Sequence, residues 1–327
     1  MLDRWIQLNY GYASTEAWIY NVVKSTLAKT GQTNPPIKLS NLLKIRNITN
    51  IDYPASYGQF RRELRFTLAH EIAHTFFYDQ SSSVPKKTAS QIPQRIIEQT
   101  CDKIAAEILM PQDMVFQYLK SKYKIGDNID LDTLPEILVD LFVVFDVSPG
   151  VAARRIVDDL GLCKVLILGI GWRNKTYKNQ EDPRGSIDAK KTGFSIKLYE
   201  RKRGIEEGEH HWRLEWYARP KWVSEKLYLP LTGNPKIRLK VVEKLFKSSE
   251  SIKKISTTEP LTSFSLGNLT KNLREIFPGK EEYKILAYIY KKKTTKNLSL
   301  LNEQPPLNDD LVSRRDTRIM ACIPLGK

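Results

Sequence analysis

Residues 70–74 read His-Glu-Ile-Ala-His. This short run constrains the chain more than any other feature. It lies within Arg-Arg-Glu-Leu-Arg-Phe-Thr-Leu-Ala-His-Glu-Ile-Ala-His-Thr-Phe-Phe-Tyr, residues 61–78, which reads as one helix. On a helix, positions i and i+4 differ by about 40° in azimuth and about 6 Å in height, so two imidazoles at that spacing can converge on one metal ion. The glutamate beside them lies too far round to join them and is placed to act as general base toward a water. The chain has only four histidines, and this motif uses two. The bland alternative is a buried helix whose histidines bond to backbone groups.

A hydrolytic zinc site needs a third protein ligand and an open fourth position. No further histidine follows at short spacing; the next are His210 and His211. The search therefore turns to carboxylates. A helix is expected from about Pro93 to Leu109, ended by Pro111, with the apolar stripe Ile97, Cys101, Ile104, Ala105, Ile108. Glu98 and Asp102 stand four apart on one face of it. Glu98 is the candidate third ligand, and Asp102 can accept the second ring N–H of a metal-binding histidine and so fix its tautomer. Glu107, nine residues on, faces away. A solvated acidic face is the plainer reading of this pair.

These two segments resemble the ImmA/IrrE family of zinc metallopeptidases. Residues 65–74, Arg-Phe-Thr-Leu-Ala-His-Glu-Ile-Ala-His, and residues 98–111, Glu-Gln-Thr-Cys-Asp-Lys-Ile-Ala-Ala-Glu-Ile-Leu-Met-Pro, follow the family's two motifs, with Cys101 at the usual alanine and Asp102 at an Asn/Asp position. The close match covers about 61–111, and a looser one runs to Leu162. The resemblance implies His70, His74 and Glu98 as zinc ligands and Glu71 as catalytic base. It implies a regulatory endopeptidase that cuts a helix-turn-helix transcriptional repressor and so derepresses a stress, mobile-element or defence programme. The family usually has a small sheet just before the zinc helix, whose edge can pair with an extended substrate. Residues 45–60 leave little room for it.

Elsewhere a helix is expected over 14–30, with Ser14 as cap and Gly31 as stop, then loop with a single short strand over 31–60. A short helix follows over 112–122. Two helices in tandem come next: Asp132 can cap the first, and Ser148-Pro149 starts the second, which stops at Gly161. Their short connection, 145–148, is like that of a helix-turn-helix. As a DNA reader it would offer only Arg154 and Arg155 beside Asp158 and Asp159, so packing against the peptidase core is the favoured reading. Beyond it, strands are expected at 164–171, 193–200, 211–218, 226–231, 283–290 and 318–325, and helices near 237–248 and 266–277. The expected architecture is α+β: a mainly helical zinc-peptidase domain over 1–125, a helix-turn-helix-like segment over 126–162, and a strand-rich α+β domain over 163–327. The family resemblance makes that last domain GAF-like, a sensor.

Charge supports a division at the same place. The net charge is +15. Residues 1–162 hold 18 Lys+Arg and 18 Asp+Glu, whereas residues 163–327 hold 34 and 19, so the whole excess lies in the second half. There, residues 210–222 interleave aromatics with cations. Trp212, Arg213, Trp216, Arg219, Lys221 and Trp222 could bind single-stranded nucleic acid, the aromatics by stacking on bases. The plainer reading is a strand alternating inward aromatics with outward charge, in which Trp212, Leu214 and Trp216 share one face. The runs 201–203 and 291–293 read as solvated basic turns. No stretch reaches the roughly 20 apolar residues of a membrane span, no secretory signal is read at the N-terminus, and three scattered cysteines point to a reducing, cytoplasmic setting.

Two other functions fit the same residues: a nucleic-acid-binding regulator whose zinc site is vestigial or structural, and a toxin-like protease with a host target. An intact Glu71 disfavours the first, since a structural metal needs no general base. Tyr78, His210 and His211 are candidates for stabilising the oxyanion.

Overall fold

The computed structural model describes residues 1–53, 61–81, 84–125, 128–178, 185–199, 204–223, 236–237, 239–247, 254–260, 282–291 and 317–325. The expected strand at 226–231, helix at 266–277 and basic run at 201–203 lie outside the described residues.

The first half is helical. It comprises α1 (Leu2–Tyr10), α2 (Thr15–Ala28), α3 (Leu39–Ile45), α4 (Arg61–His74), α5 (Gln94–Leu109), α6 (Gln112–Tyr123), α7 (Leu134–Val144) and α8 (Pro149–Arg154). Three short strands lie among them: β1 (Ile48–Asp52) and the two-residue pair β2 (Tyr78–Asp79) and β3 (Lys86–Lys87). The second half is strand-rich, with β4 (Val165–Lys178), β5 (Gly185–Lys190), β6 (Gly193–Leu198), β7 (Gly204–Ala218), α9 (Lys240–Lys247), β8 (Lys254–Pro260), β9 (Glu282–Lys291) and β10 (Thr317–Pro324).

Local chemistry explains many boundaries. The Ser14 hydroxyl accepts from the Ala17 N–H at 3.2 Å and caps α2, a contact worth about 1 kcal/mol. Gly31 and Gly161 take left-handed backbone where their helices end. Thr133, not Asp132, occupies the cap position of α7, and it makes no side-chain capping bond. The helix expected over 61–78 is shorter: α4 stops at His74, and a 3-10 turn (Thr75–Phe77) leads into β2. Arg46 stabilises that end. Its Nε donates to Thr75 Oγ1 at 2.8 Å and its Nη2 to the Thr75 carbonyl at 2.7 Å, so a cation sits at the negative end of α4.

The five-stranded antiparallel sheet has the order β7-β4-β10-β9-β8. Alternation along β4 sends Val165 and Ile167 into the core shared with the helices, and Leu166, Leu168 and Ile170 into a second core under α9. The sheet therefore lies between the helical half and α9. A register shift between Gly169 and Ile170 breaks the alternation in β7: Trp216 pairs with Gly169 and Leu214 with Ile170, leaving Glu215 as the extra residue. Trp212 and Leu214 consequently face α9, while Trp216 packs on the helical side. The three do not share one face, contrary to simple alternation. The Trp216 ring fills the space above Gly169, where a Cβ would come within 2.0 Å of it.

The small three-stranded sheet has the order β1-β6-β5. Parallel pairing of β1 with β6 joins residues 48–52 to residues 194–197, and β5 adds antiparallel to β6. The sheet that residues 45–60 could not build alone is completed by a hairpin from the second half, and β5 lies along α4.

The helix-turn-helix-like segment is packed inward. Asp146, in the turn between α7 and α8, takes left-handed backbone that Asp tolerates. Its carboxylate accepts from Arg62 Nε at 3.1 Å, and its carbonyl from Arg65 Nε at 3.1 Å, both on α4. Gly150 of α8 lies against Trp216, and Arg155 turns inward to form a buried ion pair with Glu107 of α5. The face a recognition helix would present to DNA is thus used in packing.

Candidate metal centre

Helices α4 and α5 pack together and bring their marked residues to one place. His70 Nε2 lies 3.0 Å from Glu98 Oε2, and His74 Nε2 lies 3.5 Å from Glu98 Oε1. The imidazole ring centres are 5.0 Å apart and nearly perpendicular. One ligand atom from each of His70, His74 and Glu98 lies within 4.8 Å of the others, a grouping that could hold one ion. His70 is 2% exposed, whereas nearly half of the Glu98 side chain remains open.

The helix periods account for this arrangement. Ile97, Cys101, Ile104, Ala105 and Ile108 are all buried, which seats α5 and turns the Glu98–Asp102 face toward α4. Asp102 Oδ1 lies 2.9 Å from His70 Nδ1, leaving His70 Nε2 for the metal group. Glu107, half a turn round from Glu98, points the other way into the Arg155 pair. Hydrogen bonds from His70, then His74, hold the Glu98 carboxyl well below the usual carboxylate range, despite the opposing effect of burial. Glu71 is 2% exposed and lies under β5. Cys101 is buried beside the group, and burial, with the neighbouring Glu98 and Asp102 charges, pushes its thiol well up.

The aromatic and basic residues of the segment 212–222, on β7 and the turn after it, are not gathered at one surface. Trp212 is buried at 7% exposure, edge-on to Trp172, and Arg213 is buried. Trp216 is wedged between β4 and α8, and Arg219 lies over the Tyr217 ring. Only Lys221 and Trp222 are exposed, the latter at 52%. Tyr78 sits on β2 with its ring edge-on to Phe194, and burial raises its hydroxyl pKa. His211 lies on the five-stranded sheet, paired with Arg173. Sequence reasoning missed the approach of Gly185 to Glu71; an isolated glycine opening a short strand was its one local sign.

Among the described residues, no helix is long and apolar enough to cross a membrane. No curated protein matches the chain. Among solved structures it is similar to a Mycobacterium tuberculosis transcriptional regulator at 9% identity, covering 98% of this chain and 78% of that one, with a TM-score of 0.36, a likeness too loose to bear on function. Residues 61–157 match the family model described as the IrrE N-terminal-like domain, Peptidase_M78. That segment spans both α4 and α5, and over it the chain is similar to this metallopeptidase domain family.

Proposed function

We propose that the protein is a zinc-dependent endopeptidase that cleaves a helix-turn-helix transcriptional repressor and thereby derepresses a stress, mobile-element or defence response. The observation that carries this reading is the convergence of His70, His74 and Glu98 beside Glu71. Donor atoms about 2.1 Å from a tetrahedral zinc stand about 3.4 Å from one another. The two His–Glu98 separations, 3.0 Å from His70 to Oε2 and 3.5 Å from His74 to Oε1, are of that size. Two imidazoles and a carboxylate also suit a catalytic site with an open fourth position better than a closed structural one.

His70, His74 and Glu98 would hold the ion, and Asp102 would fix His70 in the tautomer that leaves Nε2 unprotonated. When bound, zinc supplies Lewis acidity toward the scissile carbonyl and lowers the pKa of a water to about 7. Glu71 accepts the proton of the attacking water and returns it to the departing amine. The strand-rich, basic half, with its antiparallel sheet covered by α9, would be the sensing or substrate-holding part.

Metal analysis and a cleavage assay test this together. The wild type should carry about one zinc per chain, and His74→Ala and Glu98→Ala should lose most of it. Full retention in Glu98→Ala would move the third ligand elsewhere. Glu71→Gln should keep the metal and lose cleavage of a co-expressed helix-turn-helix repressor encoded beside it, because an amide cannot take the proton. Equal fragments from wild type and Glu71→Gln would sink the mechanism.

A further inference from the structure

The strand β5 crosses the side of α4 that carries Glu71. A Cβ built on Gly185 would lie 2.7 Å from Glu71 Oε1, 2.8 Å from its Cδ and 2.9 Å from the Lys197 carbonyl oxygen. The carboxylate occupies the space in which a side chain at 185 would begin. Unlike Gly193 at the hairpin turn, Gly185 has no positive φ, so its backbone conformation does not demand glycine. Close approach does.

The strand is the edge of its sheet, and the middle strand, β6, ties it toward α4 through pairings on both of its own sides. On one side, β5 pairs with β6 from Gly185↔Leu198 to Lys190↔Gly193. On the other, β6 pairs in parallel with β1, and the Phe194 N–H donates to the Asn47 carbonyl at 2.8 Å. Asn47 follows Arg46, whose guanidinium binds Thr75 at the end of α4. The helix carrying Glu71 and the strand lying on Glu71 thus belong to one closed frame.

We infer that Gly185 is a positioning residue for Glu71, so that the second half of the chain completes the reactive centre. The inference rests on the peptidase reading above. His70, His74 and Glu98 hold one another in register, whereas a glutamate general base has three side-chain torsions to fix. A base must be placed to within about 0.5 Å of its productive position, and a shift near 1 Å can cost about 100-fold in rate. A bare backbone at 185 closes off the space beside the carboxylate, and a methyl group there would displace it.

The test is a double-mutant cycle in the full-length protein, read by steady-state cleavage of the repressor, metal content and thermal midpoint. Gly185→Ala should keep its zinc and hold KM within about threefold, while kcat falls about 100-fold. In a Glu71→Asp background the same change should cost less than about fivefold, because the shortened carboxylate draws back from the methyl. Unchanged kcat in Gly185→Ala, or an equal loss in both backgrounds, overturns the proposal. If Gly185→Ala is too unstable to assay, Glu71→Ala and Glu71→Ala/Gly185→Ala are compared by thermal midpoint. Removal of the carboxylate should recover most of the loss. An undiminished loss assigns the clash to the Lys197 carbonyl and overturns the proposal. A wild type that cleaves nothing sinks the peptidase reading instead, and the midpoint pair still decides whether the strand bears on Glu71.

Discussion

Removing the Arg155 side chain should be among the most damaging single changes outside the candidate metal centre. Arg155 is 5% exposed. Its Nη2 binds the buried Glu107 carboxylate, its Nε donates to the Met110 carbonyl at 3.1 Å, and its Nη1 lies 3.6 Å from Asp159. Glu107 Oε1 also accepts from the Gln112 N–H at 2.9 Å, where α6 begins. Arg155→Ala would strand a carboxylate in the interior, which costs about 3–5 kcal/mol for a pair buried on both sides. Arg155→Met/Glu107→Leu removes both charges and fills the space. It should fall within about 2 kcal/mol of wild type, the residue of the cost being the unmet Gln112 N–H. Urea unfolding of the full chain, followed by circular dichroism at pH 7, measures all three proteins. A loss below about 1 kcal/mol in Arg155→Ala would show that water reaches the pair and screens it, and the buried-charge reasoning would fail.

Further outcomes follow from other contacts. Gly169→Ala should destabilise markedly, since its Cβ would meet the Trp216 ring at 2.0 Å; a thermal midpoint equal to wild type would show that the ring moves aside cheaply. Cys101, Cys163 and Cys322 are all buried, and burial raises their thiols, that of Cys163 to about 12; native protein should resist iodoacetamide at pH 8 and react fully in urea, as read by mass spectrometry. Burial raises the Asp158 carboxyl above its ordinary value of 3.8, against the pull of Lys221 and Arg219. The folded state then holds a proton that the unfolded state has released, so stability falls as pH rises above 3.8. Asp158→Asn should therefore stabilise the protein at pH 7 and make no difference below pH 3.8, and equal midpoints at pH 7 would refute this.

The grouping of His70, His74 and Glu98 was legible because it is local. His70 and His74 declare themselves through one helical turn, and Glu98 and Asp102 through another, with apolar stripes that orient both helices. The frame around Glu71 was not legible in the same way. Parallel pairing of residues 48–52 with residues 194–197 leaves no periodic trace in either segment, and Gly185 looks like any glycine until the strand is laid on the helix. The face of Trp216 was misread for a related reason. Alternation assigns faces only in a regular ladder, and the extra residue Glu215 resets the count within one strand. The helix α1 was missed as well. Leu2 and Ile6 are its only buried residues, too few for a periodic signal, and the Trp5 ring that stacks on Phe77 does so through tertiary packing.

The parallel partnership of β1 and β6 also sets an order of events at the ribosome. A nascent chain that has exposed the histidine helix and α5 has every metal-binding candidate in hand, yet β1 still lacks its neighbour. From the end of α5 at Leu109, 86 further residues (195 − 109) must emerge before Ser195 can reach Asn50. At about 5–20 residues per second, that is an interval of about four to seventeen seconds. During that interval the polypeptide has its candidate ligands without the strand that lies over Glu71. Termination anywhere before the hairpin leaves β1 without its partner, so synthesis of the second half and completion of the sheet beside Glu71 are tied to one another by chain order alone.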